Sequence, residues 1–162
     1  MRLAIASDHR GFELKRSILA HLKQSGLRAL DLGTRSSIRP VDYTDYAEAV
    51  GLSISIGKAE RGILICGSGV GVNVAANKIP GIRAGMCHDV YSAHQGVEHD
   101  DMNVLVLGAS VVSAPLAFDL VDQFIRAKFD HAPRHLRRLE KMQALEFRHL
   151  GVNLLHLKKT GS

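Results

Sequence analysis

Five short strand-like segments, three of them unbroken apolar runs, constrain this chain more than any other feature. They are Leu3–Ala6, Leu27–Leu32, Gly62–Cys66, Ile82–Met86 and Val104–Leu107. A strand with one wet face alternates apolar and polar residues. A short unbroken apolar run is what a strand buried on both faces requires. Stretches of helical character lie between the runs. Phe12–Ser25 carries Leu14, Ile18, Leu19 and Leu22 at helical spacing, and Gly26 is a helix stop. Tyr43–Ile56, Val72–Lys78, Val90–Glu98 and Ala114–Lys128 read as further helices. Pro133–Leu150 reads as the last one, with Leu136, Leu139, Met142 and Leu145 along one side and Gly151 as its stop. Strands alternating with helices predict an α/β fold, a Rossmann-like three-layer α/β/α arrangement on a five-stranded parallel sheet. The crossovers are expected to be right-handed.

The 162 residues suit one domain, expected over 1–150, with 151–162 as a C-terminal tail. Hydrophobic residues make up 46% and charged residues 23%, which excludes disorder as the main state. No apolar run approaches the ~20 residues of a membrane span, so no membrane partner is expected. Two cysteines, Cys66 and Cys87, make no disulfide framework, and no Cys/His group has structural-zinc spacing. Free thiols and the absence of a signal-peptide pattern predict a cytoplasmic protein.

Charge is unevenly spread. Residues 1–125 hold 12 Lys/Arg against 13 Asp/Glu, a net of −1, whereas residues 126–162 hold 9 against 3, a net of +6. A basic end of this kind fits a phosphate site, a subunit interface or nucleic acid. Five Phe, three Tyr and no Trp give little for base stacking, and no nucleic-acid module is recognisable, so nucleic acid is not expected as a partner.

In parallel α/β sheets ligands bind at the carboxyl ends of strands. The residues found there are Ser7-Asp8-His9, Cys66-Gly67-Ser68-Gly69-Val70-Gly71, Cys87-His88-Asp89 and Gly108-Ala109-Ser110. The glycine-rich turn after Cys66 permits tight backbone and close approach of a ligand, and a helix start follows it with unpaired N–H groups. Its spacing is neither a dinucleotide fingerprint nor a P-loop. Cys66, at a helix N-terminus, suits a thiolate acting as base or nucleophile; a buried, inert cysteine is the plainer alternative, and Cys87 is assigned to that. Asp8 can orient a hydroxyl or simply cap a turn. His99-Asp100-Asp101 stands at the amino end of the Val104 strand, the wrong end for a site within one subunit. Arg134 and Arg138 are four apart on one helix face, a spacing that suits a phosphate or a solvated basic surface.

Taken in order, Ser7-Asp8-His9-x-Gly11-x-x-x-Lys15, Asp42-Tyr43, Gly62 to Gly71, Ala75-Ala76-Asn77-Lys78-x-x-Gly81-Ile82-Arg83-Ala84 and His99-x-Asp101-x-Asn103-Val104-Leu105 resemble the type B ribose-5-phosphate isomerases, a family that includes allose- and galactose-6-phosphate isomerases. The resemblance runs from about residue 2 to about 145. It implies a metal-free aldose–ketose isomerase without a cofactor, acting on a phosphorylated sugar through a cis-enediolate. It makes Cys66 the base, with Ser68 beside it in place of the usual Thr. The amides of Gly67, Ser68, Gly69, Val70 and Gly71 would hold the enediolate oxygen. It makes His99 the ring-opening group, with Asp100 next to it. It assigns sugar oxygens to Asp8 and Tyr43, and phosphate to His9, Arg134 and Arg138, with His135 nearby. It further implies a homodimer or dimer of dimers with the site between subunits, which would account for the position of His99. Two positions depart from the pattern. Asp100 replaces an Asn, so an acceptor stands where a donor is usual. Ser110 replaces an Arg that binds phosphate in the family.

Overall fold

The three unbroken apolar runs become strands buried on both faces, whereas the two mixed segments become short, partly exposed edge strands. In the computed structural model, which describes the backbone of residues 1–159 and the side chains of residues 1–149, the five segments form β1 (Leu3–Ser7), β2 (Ala29–Asp31), β3 (Arg61–Cys66), β4 (Ala84–Met86) and β5 (Val104–Gly108). The intervening helices are α1 (Phe12–Gln24), α2 (Tyr43–Ser55), α3 (Val70–Ala76), α4 (Val90–Asp100) and α5 (Ala114–Arg126). Successive side chains of a strand point to opposite faces. Ile63 and Ile65 of β3 therefore join a core with Ile18 of α1, Val97 of α4 and Phe124 of α5. Leu64 and Cys66 join a second core with Val50 of α2 and Val72 of α3. Helices thus cover both faces of the sheet. Each large apolar side chain withdrawn from water contributes about 1.5–3 kcal/mol.

All neighbouring strands pair in parallel, in the order β2-β1-β3-β5-β4. The five-stranded parallel sheet is the one the sequence predicts. Two strands are shorter than their predicted segments, β2 beginning at Ala29 and β4 at Ala84. The strand order contains a switch. From β1 the chain steps outward to β2, then returns across β1 to build β3 on its other side. The loops leaving β1 and β3 consequently diverge over opposite faces, and a crevice opens between their carboxyl ends. The Asp8 N–H donates to the Ile65 carbonyl at 3.2 Å, so these two loops start in contact.

Two compact units divide the chain at Phe129, the first holding the sheet and α1 to α5. The second contains α6 (Pro133–Lys159). The expected stop at Gly151 does not occur, because the backbone is helical through that residue to Lys159. A glycine inside a helix costs only about 1 kcal/mol, too little to end a long helix by itself. The tail expected from 151 is therefore helical to 159, and residues 160–162 lie outside the described residues. Gly26 behaves differently: it takes φ +73°, and the Leu27 N–H returns to the Leu22 carbonyl at 2.8 Å, closing α1. Leu136, Met142, Leu145 and Phe147 on α6 are exposed. Among the described residues no helix is long and apolar enough to cross a membrane.

Candidate active site

The crevice between β1 and β3 collects most of the residues singled out from the sequence. Asp8 is buried directly after β1. Its Oδ1 accepts the N–H groups of Arg10 and Gly11, each at 2.9 Å. One carboxylate oxygen thus caps the turn, and Oδ2 keeps its capacity for a ligand. The capping reading of Asp8 holds on Oδ1, and Oδ2 leaves room for the other. His9 turns toward the β2–α2 loop, where the Val41 N–H donates to its Nδ1 at 3.2 Å. That nitrogen carries no proton, so a neutral His9 presents Nε2–H to whatever faces it.

The β2–α2 loop is held against β1 by backbone bonds, Ser7 N–H to the Gly33 carbonyl at 2.8 Å and Thr34 N–H to the Ser7 carbonyl at 2.7 Å. Lys15 supports it from below. It lies on the buried side of α1 at 1% exposure, and its Nζ donates to Asp31 Oδ1 at 2.6 Å and to the Thr34 carbonyl at 2.7 Å. A lysine so buried requires this full pairing. The loop delivers Tyr43, whose ring packs on Gly71: a Cβ added to that glycine would meet ring carbons at 2.7–3.0 Å. Tyr43 therefore covers the start of α3.

Cys66 ends β3 and is nearly inaccessible, at 4% exposure. Its Sγ accepts the Gly69 N–H at 3.2 Å. Gly69 takes φ +85°, a conformation that L side chains rarely adopt, and a Cβ there would also strike Met86 Sδ and the backbone of Gly108. The Val70 N–H donates to Ser68 Oγ at 3.3 Å, and Ser68 itself is exposed. Two of the amides expected to cradle an oxyanion, those of Gly69 and Val70, are thus already bonded within the loop. Ser68 keeps its hydroxyl proton for a ligand. Cys87 differs sharply. It is buried among the core residues, and burial first, then the Asp89 carboxylate, pushes its thiol up to about 11. The inert reading fits Cys87.

His99 and Asp100 are not brought to this crevice. They end α4, just before β5, at the opposite end of the sheet. Gly108 pairs with Cys66 and Val104 with Gly62, so the length of β5, about 13 Å, separates the two ends. His99 is partly buried; its Nδ1 lies 2.7 Å from the Gln95 side-chain nitrogen and its Nε2 3.7 Å from Glu98. Asp100 is half-buried.

Arg134, His135 and Arg138 belong to the second unit, at the start of α6. His135 is buried at 1% exposure. Its Nδ1 faces Asp130 at 2.8 Å and its Nε2 accepts from Arg134 Nε at 3.0 Å. Both ring nitrogens are in use, so His135 orients Arg134 and has no nitrogen left to reach phosphate. That corrects its expected place among the ligand-binding residues. Arg134 and Arg138 are exposed.

Three residues went unremarked in the sequence. For Lys15 the visible signal is a lysine beside Leu14 and Ile18 on an apolar helix face. Gln95 is four before His99, one helical turn. Arg10 follows the strand-end Asp8-His9 directly.

Comparison with known proteins agrees with this geometry. Residues 3–142 match the Ribose/Galactose Isomerase family. Over 147 residues the chain is 45% identical to ribose-5-phosphate isomerase B of Escherichia coli, covering 91% of this chain and 97% of that one. A ribose-5-phosphate isomerase B structure from Clostridium thermocellum superposes with a TM-score of 0.88 at 42% identity, covering 92% of this chain and 99% of the other. The Mycoplasma genitalium enzyme, solved with bound ribulose 5-phosphate, gives 0.83 at 38% identity, with 90% and 95% covered. With its five-stranded parallel sheet and its cysteine-ended β3 loop at the switch point, the chain belongs to the ribose/galactose isomerase family.

Proposed function

We propose that this protein interconverts ribose 5-phosphate and ribulose 5-phosphate by moving a proton between C1 and C2 through a cis-enediolate. The observation that carries the reading is the convergence of Asp8, His9, Tyr43 and the Cys66–Gly71 loop in one crevice, in a chain of this family. Cys66 as thiolate removes the proton from one carbon and returns it to the other, as general bases do. The enediolate oxygen falls to the loop amides that Cys66 and Ser68 do not already occupy, and Ser68 donates its hydroxyl proton. Asp8 Oδ2 and the Tyr43 hydroxyl hold sugar oxygens. His9 Nε2–H, Arg134 and Arg138 hold the phosphate, and His135 fixes Arg134. His99 opens the ring by moving a proton between O1 and the ring oxygen.

His99 stands a strand's length from Cys66 in its own chain, so it serves the crevice of a second copy. A homodimer, or a dimer of dimers, with the site between subunits satisfies this. The exposed apolar residues Val70, Val74, Tyr91 and Val111 support such an association, as does the apolar side of α6.

A different sugar phosphate, such as allose 6-phosphate, galactose 6-phosphate or a tetrose phosphate, is favoured by Asp100 and Ser110. An ionised Asp100 cannot donate to a sugar oxygen and would repel the enediolate. Proton NMR in D2O with ribose 5-phosphate decides between the substrates. Ketose carrying deuterium at the exchanging carbon, absent with Cys66→Ala, supports the pentose and the base together. No exchange rejects ribose 5-phosphate and sends the search to the other aldose phosphates. Ligand-induced stabilisation with no turnover on any of them would identify a non-catalytic sugar-phosphate-binding relative.

A further inference from the structure

Arg10 lies against the loop that follows Cys66. A Cβ placed on Gly67 would meet Arg10 Nε at 2.7 Å, Cζ at 2.8 Å and Cδ at 3.1 Å. The inner edge of the guanidinium therefore occupies the space that any side chain at position 67 would fill, directly after Cys66. Its two terminal nitrogens lie farther from that position than Nε and Cζ do. The turn that carries Arg10 is fixed, because Asp8 Oδ1 accepts the backbone N–H groups of Arg10 and Gly11. Arg10 is exposed, and among the described residues no carboxylate pairs with its guanidinium.

Several other cations of the first unit are committed to structure. Lys15 is buried on Asp31 and the Thr34 carbonyl. Arg83 pairs with Asp101, and Arg61 donates to the carbonyls of Phe124, Ile125 and Ala127. His9 stands beside the crevice, but its Nδ1 accepts from the Val41 N–H, so in this arrangement it offers one proton and no full charge. Ser110 also borders Gly67, its N–H donating to the Gly67 carbonyl at 2.9 Å, and it brings a hydroxyl and no cation. A phosphate dianion entering between the β1 and β3 loops meets the Arg10 guanidinium where it lies on Gly67.

We infer that Arg10 is a substrate-binding residue that grips the phosphate of the sugar from the Gly67 side of the crevice. The planar guanidinium fork matches phosphate oxygens in a way that hydroxyls and a neutral imidazole do not. Arg10 meets the phosphate in ground state and transition state alike, so its contribution is to binding and not to the proton transfer. The assignment rests on the isomerase reading, and the test separates the two.

Arg10→Gln keeps a polar side chain of similar reach, and Arg10→Lys keeps the charge without the fork. With ribose 5-phosphate, Arg10→Gln is expected to raise KM about ten- to thirtyfold while kcat changes less than about threefold. The inhibition constant of inorganic phosphate rises in step, and Arg10→Lys recovers part of both losses. A Tm within about 2 °C of the parent shows that the fold is intact. Unchanged KM and unchanged phosphate inhibition overturn the inference and leave Arg10 as a cover for Gly67. A fall in kcat at constant KM also overturns it, by placing Arg10 at the reacting carbons. If the parent does not turn over ribose 5-phosphate, calorimetric titration of the full chain with inorganic phosphate decides. Weaker binding by Arg10→Gln sustains the assignment apart from the substrate. Equal binding, or no binding by the parent, removes it.

Discussion

At the amino end of the sheet, Arg61 gives its guanidinium to the carbonyls of Phe124, Ile125 and Ala127, where α5 ends. Arg83 pairs with Asp101, and Asn103 accepts the Arg83 N–H at 2.8 Å and donates to the Gly81 carbonyl at 2.8 Å. These polar groups close each other's hydrogen-bonding capacity and finish helix and strand ends. At the carboxyl end, Asp8 uses one oxygen on the turn, Ser68 keeps its hydroxyl proton, and Arg10 lies on Gly67 without a carboxylate partner. The same residue types are structural at one end and available at the other. What separates them is the divergence of the loops at the β1/β3 switch, which opens a crevice between the carboxyl ends of these strands. His99 tests this contrast, because it sits at the amino end with chemistry assigned to it.

The largest effect that can break the contrast is at Cys66. Cys66→Ala is expected to lower kcat by at least about a thousandfold, since no other base lies at that loop position, while phosphate inhibition stays within about threefold. Its sulfur is small and its neighbours in the second core are aliphatic, so stability should fall by only about 1 kcal/mol. Steady-state kinetics with phosphate as inhibitor, beside a thermal melt, check both. A loss of phosphate affinity equal to the loss of turnover would mean that the loop had collapsed, and that Cys66 was structural after all.

His99 supplies the next test. Cys66→Ala and His99→Asn are each expected to be nearly inactive alone. Unfolded together and refolded as a mixture, they are expected to recover about a quarter of the parent activity. Random pairing of two subunits makes half the dimers mixed, and each mixed dimer keeps one intact site of two. Recovery near zero would mean that His99 works, if at all, within its own chain, and the contrast between the two ends would lose its exception.

The central strands β1, β3 and β5 were legible because burial on both faces leaves an unbroken apolar run, and the run after Arg61 is the clearest. The crevice was legible because Asp8-His9 and Cys66–Gly71 follow such runs immediately. The extent of α6 was not, because Gly151 satisfies a local rule for helix ends, whereas one glycine costs too little to end a long helix by itself. The use of His135 was not legible either. A histidine beside Arg134 reads as one more phosphate ligand until Asp130 is seen to take its Nδ1. Arg10 escaped notice for the opposite reason. Nothing near it in sequence announces that its guanidinium will lie on Gly67, 57 residues further on, because only the pairing of β1 with β3 brings the two loops together.

At the amino end, Arg61→Met is expected to lower stability by about 1–3 kcal/mol, since the carbonyls at the end of α5 lose their charged donor. KM and kcat should stay within about twofold of the parent. Chemical denaturation and kinetics on the same preparation separate these outcomes. A kinetic defect larger than the loss of stability would show that the amino end carries more function than His99 alone.

The smallest effect concerns Cys87, the thiol in the core. Folding favours its neutral form, because burial chiefly, with Asp89, raises the thiol from the ordinary value near 9 to about 11. The folded state therefore holds this proton at a pH where the unfolded state has released it. The stabilisation is complete below pH 9 and is lost as pH rises from about 9 to about 11. Cys87→Ala should cost little at pH 7 and should flatten the decline in stability between pH 9 and 11, with kcat unchanged. Denaturation midpoints across that range read the slope directly. An identical slope in the variant would show that Cys87 does not titrate with folding. If alkylation at pH 8 also proceeded at Cys87 as fast as at Cys66, the distinction between a thiol in the core and a thiol at the crevice would fail.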